Sequence, residues 1–174
     1  MSGLDLALSR VERAWQVLDG VLDPEVPVVS VRDLGIVRDV VELDDGGLEV
    51  VVTPTYSGCP ATEVIEQSIV DALVADGLGP VSVRMQRAPA WTTDWMSEAG
   101  RAKLRAYGIA PPRHLAAGDG VPMRFVRRSV VEVLACPRCE SVDTERIAAF
   151  GATACKALWR CRACGEPFEH FKAI

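Results

Sequence analysis

Six cysteines carry the reactive chemistry of this 174-residue chain. Four of them form Cys136-Pro137-Arg138-Cys139 and Cys161-Arg162-Ala163-Cys164, with 21 residues between the pairs. A CxxC pair turns two thiolates to one side of a tight knuckle, and two knuckles complete a tetrahedral four-sulfur site. Cys136, Cys139, Cys161 and Cys164 are therefore the expected ligands, and zinc the expected structural metal. Iron in a four-thiolate site has similar geometry, so residue types alone leave zinc and a rubredoxin-like iron open. A metal would also explain how a module of roughly 40 residues folds with so little core.

Cys59 stands apart, in Thr53-Pro54-Thr55-Tyr56-Ser57-Gly58-Cys59-Pro60. Proline favours the first turn of a helix, so Cys59 is expected at the N-cap. There the free amides and the helix dipole would lower its pKa and make it a nucleophile or metal ligand. The competing reading is a small buried side chain. Asp23-Pro24-Glu25-Val26-Pro27 sets two carboxylates on a stiff turn, which on residue types alone reads first as a helix terminator with solvated charges. Cys155 precedes Lys156, whose charge can lower a thiol pKa; packing inside a strand is the alternative, and the thiol stays unassigned. His114 and His170 have no ligand-like neighbours. No Ser-His-Asp or Cys-His arrangement and no phosphate-binding glycine loop is present.

The elements that must position these groups follow from periodicity. Leu4, Leu8, Val11, Trp15, Leu18 and Leu22 make one helical stripe, with Ser2 and Asp5 as a weak start and Asp23-Pro24 as the stop. Ile36–Leu43 and Leu48–Thr53 read as strands joined at Asp44-Asp45-Gly46-Gly47. A helix over 60–76 ends at Gly77, and Val81, Val83 and Met85 alternate in a third strand. The expected fold is α+β: a small two-layer α-β-β-α-β domain followed by a C-terminal zinc ribbon. Its domains are residues 1–90, a basic connector over 91–129, and the ribbon over 130–174. The connector holds a short cationic helix over 95–106 and a linker at Ala110-Pro111-Pro112 and 116–120. In the ribbon, Glu145–Phe150 and Lys156–Arg160 are expected to pair over a small core of Phe150, Trp159, Phe168 and Phe171.

Charge follows the same division. Residues 1–80 carry 4 basic and 15 acidic groups, 81–129 carry 9 and 3, and 130–174 carry 6 of each. The basic segment suits the chain's own acidic half or an acidic protein partner better than nucleic acid, because the total charge is −5. No apolar run approaches the roughly 20 residues needed to span a bilayer, and the first residues lack a secretory layout. A cytoplasmic protein without membrane contact is expected.

The acidic turn, Asp33-Leu34-Gly35-Ile36 and the Thr53–Pro60 loop resemble the iron–sulfur assembly domain of SufT-like proteins over about residues 8–88. With Trp91–Trp95 and Ala154–Cys161 added, the chain resembles the PaaD-like accessory proteins of bacterial phenylacetyl-CoA epoxidase systems. That resemblance implies a cluster assembly or maturation factor in aerobic phenylacetate degradation. Cys59 would be the iron or cluster ligand, with Asp23 and Glu25 as loop carboxylates. The implied client is the 2Fe–2S reductase of the system, and a homodimer sharing one cluster between two Cys59 thiols fits the small ligand set. A non-catalytic structural subunit of the oxygenase is the alternative. No flavin, nicotinamide or di-iron motif is present, so no catalytic activity of its own is expected.

Overall fold

The computed structural model describes residues 8–56, 58–112 and 134–172. The chain divides into two compact units. One holds the described residues through Trp91 together with Trp95–Gly100; the other holds Thr92–Asp94 and the described residues from Arg101 onward.

In the first unit, α1 (Arg10–Leu18) starts at Ser9, whose hydroxyl accepts from the Glu12 amide while Glu12 reaches back to the Ser9 amide. This reciprocal capping satisfies two orphan donors. The helix is shorter than its apolar stripe predicts. Leu8 and Leu22 lie outside it and are exposed, and Ala14 and Leu18 form the buried face. The helix ends at Leu18 rather than at Asp23, because the chain turns at Gly20 and Leu22 bridges Ser30. The Ser2 start lies outside the described residues.

Strands β1 (Val37–Glu42) and β2 (Leu48–Val52) form the expected hairpin, with Gly46 at φ +79 in its turn. Helix α2 (Thr62–Ala75) then returns the chain to β3 (Val81–Met85), which lies parallel to β2. The sheet order is β1-β2-β3. Leu48 and Val50 of β2, Ile69 and Leu73 of α2, and Leu18 of α1 are fully buried. Burying each such side chain stabilises the unit by about 1.5–3 kcal/mol. A bulge between Val37 and Asp39 leaves Arg38 outside the ladder and re-aims its side chain.

After a single 3-10 turn at Thr93–Trp95, α3 (Glu98–Ala106) is shorter than the expected 95–106 helix. The following Ala110-Pro111-Pro112 is not a loose linker. Strand β4 (Ile109–Ala110) pairs in parallel with β7 (Pro167–Phe171). The Pro112 carbonyl accepts from the buried Arg101 guanidinium. Residues 116–120 lie outside the described residues.

The second sheet has the order β4-β7-β6-β5, with β5 (Thr144–Ala148) and β6 (Lys156–Cys161) as the expected ribbon. Trp159, Phe168 and Phe171 are buried as expected. Phe150 is not: it is 66% exposed and lies under the Lys172 ammonium. Its strand ends at Ala148, so the ring falls past the packed face. Among the described residues, no helix is long and apolar enough to cross a membrane.

Candidate functional site

Cys59 does not cap α2. The N-cap is Ala61, which has helical dihedrals and no side-chain bond, and the helix starts at Thr62. Cys59 instead closes a turn: its amide donates to the Tyr56 carbonyl at 3.3 Å. Its carbonyl accepts from the Thr62 amide and, at 2.9 Å, from the Thr62 hydroxyl. Pro60 and Ala61 complete that turn before the helical ladder begins, which moves the cap two residues onward.

The thiol is half-buried, and burial pushes its pKa up, not down as a capping position would. The Ala61 amide and the Thr62 side chain favour the thiolate. Glu25 and Asp23 act on the thiol through space and raise its pKa further. The structure therefore gathers the loop cysteine and both carboxylates of the acidic turn in one electrostatic neighbourhood. Asp23 is buried and shapes that turn, its Oδ1 accepting from the amides of Glu25 at 2.9 Å and Val26 at 2.8 Å. Thr62 is the residue that sequence reasoning missed; a hydroxyl three positions after the cysteine was the available signal.

The ribbon thiols make the second constellation. Cys136, Cys139, Cys161 and Cys164 bring their sulfurs within 4.8 Å of one another. Cys136 and Cys164 are 3.9 Å apart, and Cys139 and Cys161 are 3.5 Å apart. A tetrahedral ion about 2.3 Å from each sulfur needs sulfurs roughly 3.8 Å from one another. A disulfide needs about 2 Å, and all four cysteines are free. The donor set thus fits a four-thiolate metal.

The charges agree. The Ser141 amide favours the Cys139 thiolate, yet the neighbouring thiols Cys164 and Cys161 push its pKa up to about 12. The Cys164 amide holds Cys161 down to about 7. Four thiolates this close need a cation among them. Arg138, from the first knuckle, pairs with Glu166 just past the second.

Cys155 is outside this cluster. It is buried beside the Thr153 hydroxyl at 3.1 Å, in the turn that enters β6. The adjacent Lys156 is directed at Glu169, with 2.7 Å between their charged atoms. His170 is packed in the ribbon core, edge-on to Trp159. His114 lies outside the described residues.

Residues 122–172 match the family model described as the PaaD zinc beta ribbon domain. A protein of Escherichia coli (strain K12), named as a 1,2-phenylacetyl-CoA epoxidase subunit, is 45% identical over 169 residues, 97% of this chain and 96% of that one. The chain belongs to the PaaD family. In this PaaD-family chain, residues 12–85 also match the model described as iron–sulfur cluster assembly protein. An Fe-S protein maturation auxiliary factor of Porphyromonas gingivalis is 34% identical over 98 residues, 56% of this chain and 92% of that protein. The crystal structure of a DUF59 domain from Bacillus anthracis superposes with a TM-score of 0.51 at 25% identity, covering 55% of this chain and 91% of that one. The PaaD-specific ribbon match thus holds all four clustered thiols, and the assembly-domain match holds Cys59, Asp23 and Glu25.

Proposed function

We propose that this chain is an iron–sulfur maturation factor of a phenylacetyl-CoA epoxidase system, with the 2Fe–2S reductase of that system as its client. The observation that carries the reading is the shared neighbourhood of Cys59, Asp23 and Glu25 inside the assembly-domain match. Iron, alone or as a cluster, is cargo here. Two carboxylates and a soft sulfur favour a cation between them, and that cation reverses the forces that otherwise keep the thiol protonated. The half-buried position of Cys59 leaves the cargo open to hand-over. One chain offers few ligands, so two Cys59 thiols in a homodimer would hold a cluster.

Cys136, Cys139, Cys161 and Cys164 would hold zinc, whose binding there supplies folding energy to a module with little core. The chain's own groups prepare that site: the Ser141 and Cys164 amides aim at the sulfurs, and Arg138 with Glu166 joins the knuckles.

Anaerobic reconstitution with ferrous iron and sulfide tests the cargo site. The wild type is expected to gain visible absorption and to restore an apo-reductase, whereas Cys59→Ser loses both with its ribbon metal intact. A Cys59→Ser protein that rebuilds the chromophore and matures the reductase would sink the proposal. A second reading, that of a non-catalytic structural component, draws on the name of the Escherichia coli relative. It predicts a stable stoichiometric complex with the oxygenase chains that survives gel filtration and is indifferent to Cys59→Ser.

A further inference from the structure

Trp91 and Trp95–Gly100 lie between the two matched segments in sequence and, as part of the first unit, pack against the rest of it at one place. Trp91 is 3% exposed, and its indole N–H donates to the Leu34 carbonyl at 2.9 Å. Trp95 lies against Gly35, which sits at φ +67; a Cβ there would come within 2.8 Å of the Trp95 carbonyl carbon. The Arg38 guanidinium, freed by the bulge, stacks 3.5 Å from the Trp95 ring centroid. Ser97 grips Asp33 twice, its amide donating to the Asp33 carbonyl at 2.8 Å and its hydroxyl to Oδ1 at 3.0 Å. Gly100 lies so close that a Cβ would be 2.9 Å from the Asp33 carbonyl oxygen.

The Asp33-Leu34-Gly35-Ile36 turn passes this hold in two directions. On one side, Asp33 Oδ2 accepts from the Ser30 amide at 3.1 Å, and the Ser30 hydroxyl accepts from the Asp33 amide at 3.0 Å. Ser30 bridges Leu22, and the Asp23 amide donates to the Val29 carbonyl at 2.9 Å, where the acidic turn begins. On the other side, the Ile36 carbonyl accepts from the Thr53 amide at 2.8 Å, and Thr53 opens the loop that ends at Cys59. The carboxylates and the thiol come from loops about 30 residues apart in sequence, and their common foundation is the turn under Trp91 and Trp95–Gly100.

The geometry points to Trp91 and Trp95–Gly100 as a strap within the first unit that sets the placement of the acidic turn relative to the Cys59 loop, with Trp91 and Ser97 as its positioning residues. The inference rests on the reading of Cys59, Asp23 and Glu25 as the iron-holding site. Ligands drawn from two loops keep their geometry only if outer groups hold those loops, and loss of such groups weakens metal affinity by about 10–100-fold.

The test uses the full-length protein with its ribbon metal, kept anaerobic, and ferrous iron alone as the probe. Two rates are read: iron release to a ferrous chelator, and iodoacetamide alkylation of Cys59 in the iron-free protein, followed on the Cys59 peptide by mass spectrometry. Trp91→Phe keeps an aromatic ring but removes the N–H together with the five-membered half of the indole; Ser97→Ala removes the hydroxyl and Ser97→Thr restores it. At temperatures far below each variant's melting point, Trp91→Phe and Ser97→Ala are expected to release iron about tenfold faster and to alkylate Cys59 faster, with Ser97→Thr close to wild type. Wild-type rates in Ser97→Ala, whatever its melting temperature, overturn the strap; this arm stands if Trp91→Phe does not fold. If Cys59→Ser binds iron as tightly as wild type, the iron site itself is wrong, and the alkylation rates still report on the strap.

Discussion

Gly35 shows how one residue can be fixed by its surroundings twice over. Its φ of +67 lies in the left-handed region, which costs an L-residue about 1–2 kcal/mol. The Trp95 backbone also fills the space a side chain would need. Gly77 has a similar φ of +79, but nothing lies within 4 Å of the place its Cβ would take. Urea unfolding should therefore rank the two: Gly77→Ala loses about 1 kcal/mol, and Gly35→Ala more than about 2 kcal/mol. Equal losses would mean that Trp95 can give way and that the contact is soft. Sequence reading placed Gly77 at the end of a helix, because positive φ is a local demand. It missed the clash at Gly35, which depends on a segment about 60 residues away. The same limit explains Cys59. Its loop was legible from Gly58 and Pro60, but its burial and the facing carboxylates are tertiary facts, and they reverse the expected direction of its pKa.

The strands of the second sheet carry a test of their own in the Lys156–Glu169 pair between β6 and β7. Lys156 is 3% exposed, and the Glu169 carboxylate also accepts from the Ala152 amide at 2.7 Å. Burial alone would push the Glu169 carboxyl up, but Lys156 and that amide outweigh it and hold it below the ordinary carboxylate range. A depressed carboxyl stabilises the fold above its unfolded pKa, and the contribution fades as pH falls through its folded value. Glu169→Gln leaves a buried ammonium without its partner, so the loss expected near neutral pH is about 3–5 kcal/mol. The variant should also show a flatter decline of stability in acid. A loss under about 1 kcal/mol, or an unchanged acid limb, would contradict this account. None of this was visible in the chain as written. Their place between the two knuckles gave β5 and β6 as a ribbon, but β7 reads as scattered aromatics and β4 is a dipeptide before two prolines. Their pairing is parallel and non-local, so no short-range pattern announces it.

At the scale of the molecule, the two candidate metal sites should separate cleanly. The ribbon cysteines were legible because four ligands at fixed spacings specify a knuckle locally. Of the site proposed for iron, the cysteine stood out in its loop, and the carboxylates entered only through a family resemblance. The four thiols belong to a unit whose core includes Leu134, Trp159 and Phe168, and Cys59 belongs to the other unit, packed around β1–β3. Cys136→Ser leaves three sulfurs, and the crowding that raises Cys139 remains without a tetrahedral cage to relieve it. Native mass spectrometry should then find the ribbon metal lost. Amide exchange should accelerate in β6 and β7 while β1–β3 keep their protection, since metal and folding are coupled only in the ribbon. Cys59→Ser should do the reverse, keeping the ribbon metal and losing added ferrous iron. Acid should imitate Cys136→Ser, because the thiols must shed their protons to bind metal. If either single substitution strips both metals, or if β1–β3 lose protection along with the ribbon, the division of labour between the two units is wrong.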